Sequence, residues 1–178
     1  MPTNLRSYQG HSPRLTASVY LDPSAVVIGN VEIGEDSSVW PLCVIRGDVH
    51  HIRIGARSNI QDGTVIHVTH DGPFSPGGAP TLIGDDVTVG HRVTLHACTI
   101  GDLCLIGMGV IVMDQAVVRS RVMIGAGSLV PPGKVLESGY LYVGTPVRQV
   151  RPLNERELAF LPYSAEHYVR LAAHHRGG

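Results

Sequence analysis

The chain has 178 residues, 14 Lys and Arg against 15 Asp and Glu, a formal net charge of −1, and 16% charged residues. That balance excludes the basic footprint of a nucleic-acid binder or of a protein held on an anionic membrane. No apolar run approaches the roughly 20 residues of a membrane span, and two Phe and one Trp suit a thin core of Val, Ile and Leu.

One domain over 1–178 is expected from this length. Met1 to Gly10 lacks the basic-then-apolar order of a secretory signal. The three cysteines, Cys43, Cys98 and Cys104, make no disulfide framework. A reduced, cytoplasmic protein is the simplest expectation. Cys98 is expected to be a small buried or corner residue, with metal ligation the lesser reading.

In chain order, aliphatic residues recur every six positions at Val27, Ile33, Val39 and Ile45, then at Ile54, Ile60 and Ile66. They resume at Ile83, Val89 and Leu95, and again at Ile100, Ile106, Val112, Val118, Ile124 and Val130. Glycine often follows, as in Ile33-Gly34, Ile54-Gly55 and Ile83-Gly84. This period fits neither an amphipathic helix nor one alternating strand. It predicts an all-β solenoid, a parallel β-helix whose short strands stack coil on coil, over about 14–150. A β-sandwich would place turn signals less regularly, every ~8–12 residues.

Two interruptions break the period. The step from Ile45 to Ile54 is nine residues, an insertion around Val49, His50 and His51. The segment 68–82 carries Gly72-Pro73, Pro76-Gly77-Gly78 and Pro80, which mark an irregular loop beginning just after His67. Insertions in a solenoid protrude from one face, often the binding face. Beyond Val130, Pro131-Pro132-Gly133 and Tyr140 to Pro146 close the prism. Asn154 with Glu157 reads as a capping box opening a helical segment over 154–175. Pro162 is expected to interrupt or kink it, and His174 and His175 to complement its dipole.

The repeat places three histidines. His67 and His96 each follow an inward residue, Ile66 and Leu95, so both project outward. If 68–82 replaces part of a coil, Leu95 lies one coil from Ile66, on strands ~4.7–4.9 Å apart, and the two imidazoles converge on one metal. His91 lies one face earlier, near a corner, and points away from that pair. A three-fold assembly would bring it against a neighbour and complete a shared site. A random trio of surface histidines would usually be structural. His11, His50, His51, His70 and His167 form no comparable set by phase. His50, His51 and His70, on or beside the insertions, are either proton carriers or solvated loop residues.

The runs Val44-Ile45-Arg46-Gly47-Asp48 and Asn59-Ile60-Gln61-Asp62-Gly63, with Ile66-His67, Val89-Gly90-His91 and Leu95-His96, resemble the γ-class carbonic anhydrase family. The match is especially good to its bacterial branch of small carbonic-anhydrase-like hexapeptide proteins and runs from about Ala25 to the C-terminal helix. The resemblance implies a left-handed coil, a sense opposite to the usual crossover rule. It implies metal ligands His67 and His96 from one subunit and His91 from the next, in a homotrimer. It assigns Arg46 and Asp48 to an ion pair across the subunit interface, and Gln61 and Asp62 to polar positions beside the metal.

The implied activity is reversible hydration of CO2 to bicarbonate by a zinc-dependent lyase. Three neutral imidazoles leave Zn2+ its charge and make bound water acidic enough to ionise near neutral pH, an effect known from carbonic anhydrase itself. Fe2+ or Co2+ also suits three imidazoles. Gln61 would orient the nucleophile or a bicarbonate oxygen, and Asp62 would hold Gln61 or a ligand's second nitrogen. The glutamates that the family's archaeal members carry in acidic loops are missing, which leaves His70 or Asp71 to export the proton. Two rivals remain: an acyltransferase or thioesterase acting on acyl-CoA, and a non-catalytic metal-binding trimeric scaffold.

Overall fold

A computed structural model describes residues 4–177. The readings that involve Met1, Pro2, Thr3 and Gly178 lie outside the described residues. The rest is a parallel β-solenoid closed by one C-terminal helix, Glu155–Gly177.

Three stacks of short strands form three faces. The first takes Leu5–Arg6, the opening halves of the long strands Val26–Ile33 and Val44–Ile54, then Val65–His67, Thr94–His96, Ile111–Val112 and Leu129–Val130. The second takes Arg14–Leu15, the closing halves of those strands, then Thr81–Ile83, Thr99–Ile100, Val117–Val118 and Val135–Leu136. The third stacks Tyr20–Leu21, Ser38–Val39, Asn59–Ile60, Thr88–Val89, Leu105–Ile106, Met123–Ile124 and Tyr140–Gly144.

The six-residue period sets this shape because one residue in each hexapeptide must point inward. Val27, Ile45, Ile60, Ile66, Val89, Leu95, Ile106 and Ile124 are all fully buried and belong to one core. At corners the chain turns through left-handed φ, even at Arg57, Asp86 and Leu103. Stacking holds those residues there: each backbone N–H donates to the coil before, as from Arg57 to Glu35 O (2.7 Å) and from Leu103 to Asp85 O (2.9 Å). Gly29 (φ +79°) turns where a Cβ would collide with Gly47 O, which no side chain tolerates.

Pairing begins earlier than hexapeptide spacing implies, at Leu5–Arg6 beside Val27 and Ile28. It ends in an antiparallel hairpin, Tyr140–Gly144 against Val147–Pro152. The terminal helix lies on the third face, burying Leu161, Ser164, Ala165 and Ala172. Leu161 packs with Met123 and Leu153, while Trp40 sits between the prism and Tyr168, ring centroids 5.7 Å apart.

The capping box is present: Glu157 N donates to Asn154 Oδ1 and Asn154 N to Glu157 Oε2, both at 2.9 Å. The expected interruption at Pro162 is not; the helix is continuous through it. Proline there leaves the carbonyl of Leu158 without its helical donor, on a residue that is 40% exposed. His175, read from sequence as a dipole complement, stacks edge-on against Trp40 at 5.1 Å. No helix among the described residues is long and apolar enough to cross a membrane.

Candidate metal centre

The insertions fall at one corner, where the first face passes into the second. Strand Val44–Ile54 bulges there, with Gly47 paired to Gly29 and Ile52 to Val31, so Asp48 to His51 stand out from the ladder. One coil later the loop between Val65–His67 and Thr81–Ile83 leaves the same corner. Its neck is closed by Thr69 and Ala79, which exchange backbone hydrogen bonds at 3.0 and 2.9 Å.

His67 and His96 sit directly opposite in the ladder, because Ile66 pairs with Leu95. Their rings face each other, His67 Nδ1 lying 3.2 Å from His96 Nε2. The outward nitrogen of each meets a carboxylate: His67 Nε2 lies 3.0 Å from Asp48 Oδ1, and His96 Nδ1 3.0 Å from Asp114 Oδ2. Since a carboxylate only accepts, those nitrogens carry the hydrogens. With both rings neutral, the two facing nitrogens are the bare ones. A proton shared between them or a cation held by both lone pairs suits that 3.2 Å spacing.

Electrostatics keep this arrangement. Burial pushes the Asp48 carboxyl up, but hydrogen bonds from Arg46 and His67 more than reverse it, holding Asp48 below its usual range. Asp114 is lowered likewise: burial opposes, and Thr69 and His96 prevail. Burial pushes the His67 imidazole down, with Arg46 and His96 acting the same way against Asp48. A neutral ring is the form that ligates metal.

The remaining residues divide. Arg46 pairs with Asp48 of its own chain at 2.5 Å, the two residues that the resemblance assigns to a subunit interface. Asp48 thereby bridges Arg46 and His67.

His91 lies across the first face, at its other corner, where Asp62 and His91 occupy equivalent turn positions on successive coils; Arg92 N donates to Asp62 O at 2.9 Å. There His91 Nδ1 meets Asp62 Oδ2 at 2.9 Å, on a half-exposed side chain. Gln61, 5% exposed, donates through Nε2 to Asn59 Oδ1 at 3.0 Å. That bond continues through Asn59 Nδ2 to Thr88 Oγ1 (3.0 Å) and on to Ser164 of the helix (2.9 Å).

One chain thus gathers Arg46, Asp48, His67 and His96 at one corner, and Gln61, Asp62 and His91 at another. Among the described residues no three His, Cys, Asp or Glu gather as one cation site. His70 is exposed and makes no hydrogen bond to His67 or His96 among the described residues. Cys98 is buried, with its thiol pushed up to about 12 by that burial. Asp114 and Thr69 were not singled out in the sequence. Asp114 stands two residues past inward Val112, as Asp62 does past Ile60, and that shared phase was the available signal.

No family model matches the chain. Protein YrdA of Escherichia coli is 57% identical over 93% of this chain and 90% of its own length. Mitochondrial γ carbonic anhydrase 2 of Arabidopsis thaliana is 43% identical over 92% of this chain, which spans only 59% of that protein. A crystal structure of a hexapeptide transferase family protein from Anaplasma phagocytophilum is 41% identical, with TM-score 0.90, covering 97% of this chain and 98% of that one. The chain belongs to the γ-carbonic-anhydrase-like hexapeptide-repeat family. The solenoid is accordingly the left-handed β-helix of that family, the hand that the crossover rule alone would have missed.

Proposed function

We propose that this γ-carbonic-anhydrase-like chain is a metal-dependent lyase that hydrates CO2 reversibly to bicarbonate. In this reading it works as a homotrimer, with Zn2+, or Fe2+ or Co2+, held by His67 and His96 of one copy and His91 of another. The observation that carries the reading is the 3.2 Å between His67 Nδ1 and His96 Nε2. Two imidazole nitrogens on one tetrahedral zinc, each at about 2.0–2.1 Å, lie about 3.3 Å apart. The donor set fits: each of the three rings is backed by a carboxylate, Asp48, Asp114 or Asp62, the usual support of a ligating histidine.

A divalent ion in that set would supply Lewis acidity and, from water, a nucleophile at neutral pH. The chain's own residues do the rest. Asp48 and Asp114 fix the tautomers, and Arg46 keeps Asp48 ionised. Gln61, its amide nitrogen committed to Asn59, keeps Oε1 to accept a hydrogen from water or from the bicarbonate hydroxyl. His70, on the exposed loop after His67, passes the proton to solvent. Assembly is supported by apolar side chains left open beside the His91 corner, Leu42 at 69% and Met108 at 58% exposure, which a second copy would cover.

A second reading, acyl transfer or thioester cleavage on acyl-CoA, draws on the hexapeptide transferase relative. A lone base needs one imidazole and one carboxylate, whereas this corner holds two of each. Metal per chain and stopped-flow CO2 hydration on one preparation decide the matter. One ion per chain with hydration lost on chelation is the expected result. Acyl-CoA turnover that survives chelation would move the assignment to transfer, and bound metal without any turnover to a scaffold.

A further inference from the structure

The N-terminal arm does more than start the solenoid. Between strands Leu5–Arg6 and Arg14–Leu15 the chain folds out into a tight hairpin: Tyr8 and His11 exchange backbone hydrogen bonds at 2.9 Å, and Gln9 and Gly10 turn with φ of 46° and 81°. Ser7 and Ser12 join their hydroxyls across it at 2.7 Å. A cavity of about 440 Å3 lies between this arm and the next coils, walled by His11, Arg14, Asn30, Glu32 and Arg53. A solenoid cap has no need of such a space, and its volume lies in the small-molecule range.

The lining is rich in donors and poor in acceptors. Glu32 spends one oxygen on Arg53 (3.3 Å) and offers the other to Arg14 at a loose 3.7 Å. Arg53 donates to Asn30 O, Ile52 O and Asn30 Oδ1. With Nε on Glu32, one of its five N–H groups has no acceptor among the described residues. Because Asn30 Oδ1 accepts from Arg53, its amide hydrogens are what Asn30 has to offer. Ser12 is occupied by Ser7. What remains is the Arg14 guanidinium, the Asn30 amide, the last Arg53 N–H and the His11 imidazole. Two guanidiniums face one carboxylate, so the wall keeps a positive excess.

The geometry points to a binding site for a small oxyanion, a carboxylate or phosphate of metabolite size, seated between the N-terminal hairpin and Arg53. Arg14 is its principal charge, a guanidinium fork suited to two oxygens at once. The site lies on the same edge of the prism as Asp48, since His11 and Asn30 also line the groove beside that carboxylate, but neither proposal depends on the other.

Isothermal titration of the full chain with inorganic phosphate and with citrate, in a low-salt amine buffer, tests it. One saturable site per chain is expected for at least one probe; the tighter probe tells a phosphate source from a carboxylate. Arg14→Ala, at a side chain 83% exposed, weakens binding by roughly tenfold or more, the loss of a charge-assisted contact. Arg14→Lys recovers part of it. On the unmutated chain, the His11 ring resonances move with the same saturation. Absence of saturation by both probes, unchanged affinity in Arg14→Ala, or a His11 signal that stays in place would overturn the site.

Discussion

A metal centre of this kind is decided by which ring nitrogens are left bare, and carboxylates decide that. Asp48 and Asp114 each take the outward N–H of a histidine, so in the proposed centre each would act on metal affinity without ligating. Asp114→Ala is expected to weaken metal retention about 10–100-fold while leaving the coils folded, read by competition with a chromophoric chelator against circular dichroism. Retention equal to the unmutated chain would mean that the tautomer of His96 is set elsewhere. His67 and His96 were legible in the sequence because both follow an inward residue and the coil length brings them together. Asp114 was less so. The step from Leu95 to Ile100 is five residues, not six, which shifts the register of that corner. His70 lies in a loop with no period, so its placement could not be read at all.

Coils and cap depend on different forces. The coils rest on stacked aliphatic residues with no slack. Leu95, wholly buried between Ile66 and Val112 in the ladder, should cost about 2–5 kcal/mol as Leu95→Ala, measured by chemical denaturation; a loss under 1 kcal/mol would mean the prism collapses to fill the gap. The helix start rests on polar contacts. Hydrogen bonds from Arg151 and from the Asn154 backbone hold Glu157 down to about 2, against an ordinary 4.5. A lowered carboxylate stabilises the fold above its unfolded value and loses that contribution as pH falls through the folded one. The stability gap between the unmutated chain and Glu157→Gln should therefore stand in full above about pH 4.5 and close towards pH 2. An equal gap at pH 2 and pH 7 would contradict this. The capping box was readable because its spacing is local. The Leu5–Arg6 strand and the closing hairpin were not, since neither keeps the hexapeptide period and each is fixed only by its neighbours.

The whole chain carries its candidate ligands on opposite edges of one face, so the proposed centre belongs to an assembly. That division follows from the coil: His67 and His96 leave the first face, and His91 enters it. Solenoid and histidine phase were thus largely available from sequence, while the left hand and the link between edges needed relatives or a second copy. The direct measurement is metal content after co-expression of His91→Ala with His67→Ala. Neither variant alone holds a complete site. In randomly mixed trimers, three-quarters contain both chains and each of those has one intact site of three, so about a quarter of the unmutated metal content should return, with CO2 hydration in proportion. Full metal in either variant alone, or none in the mixture, would contradict a centre shared between copies.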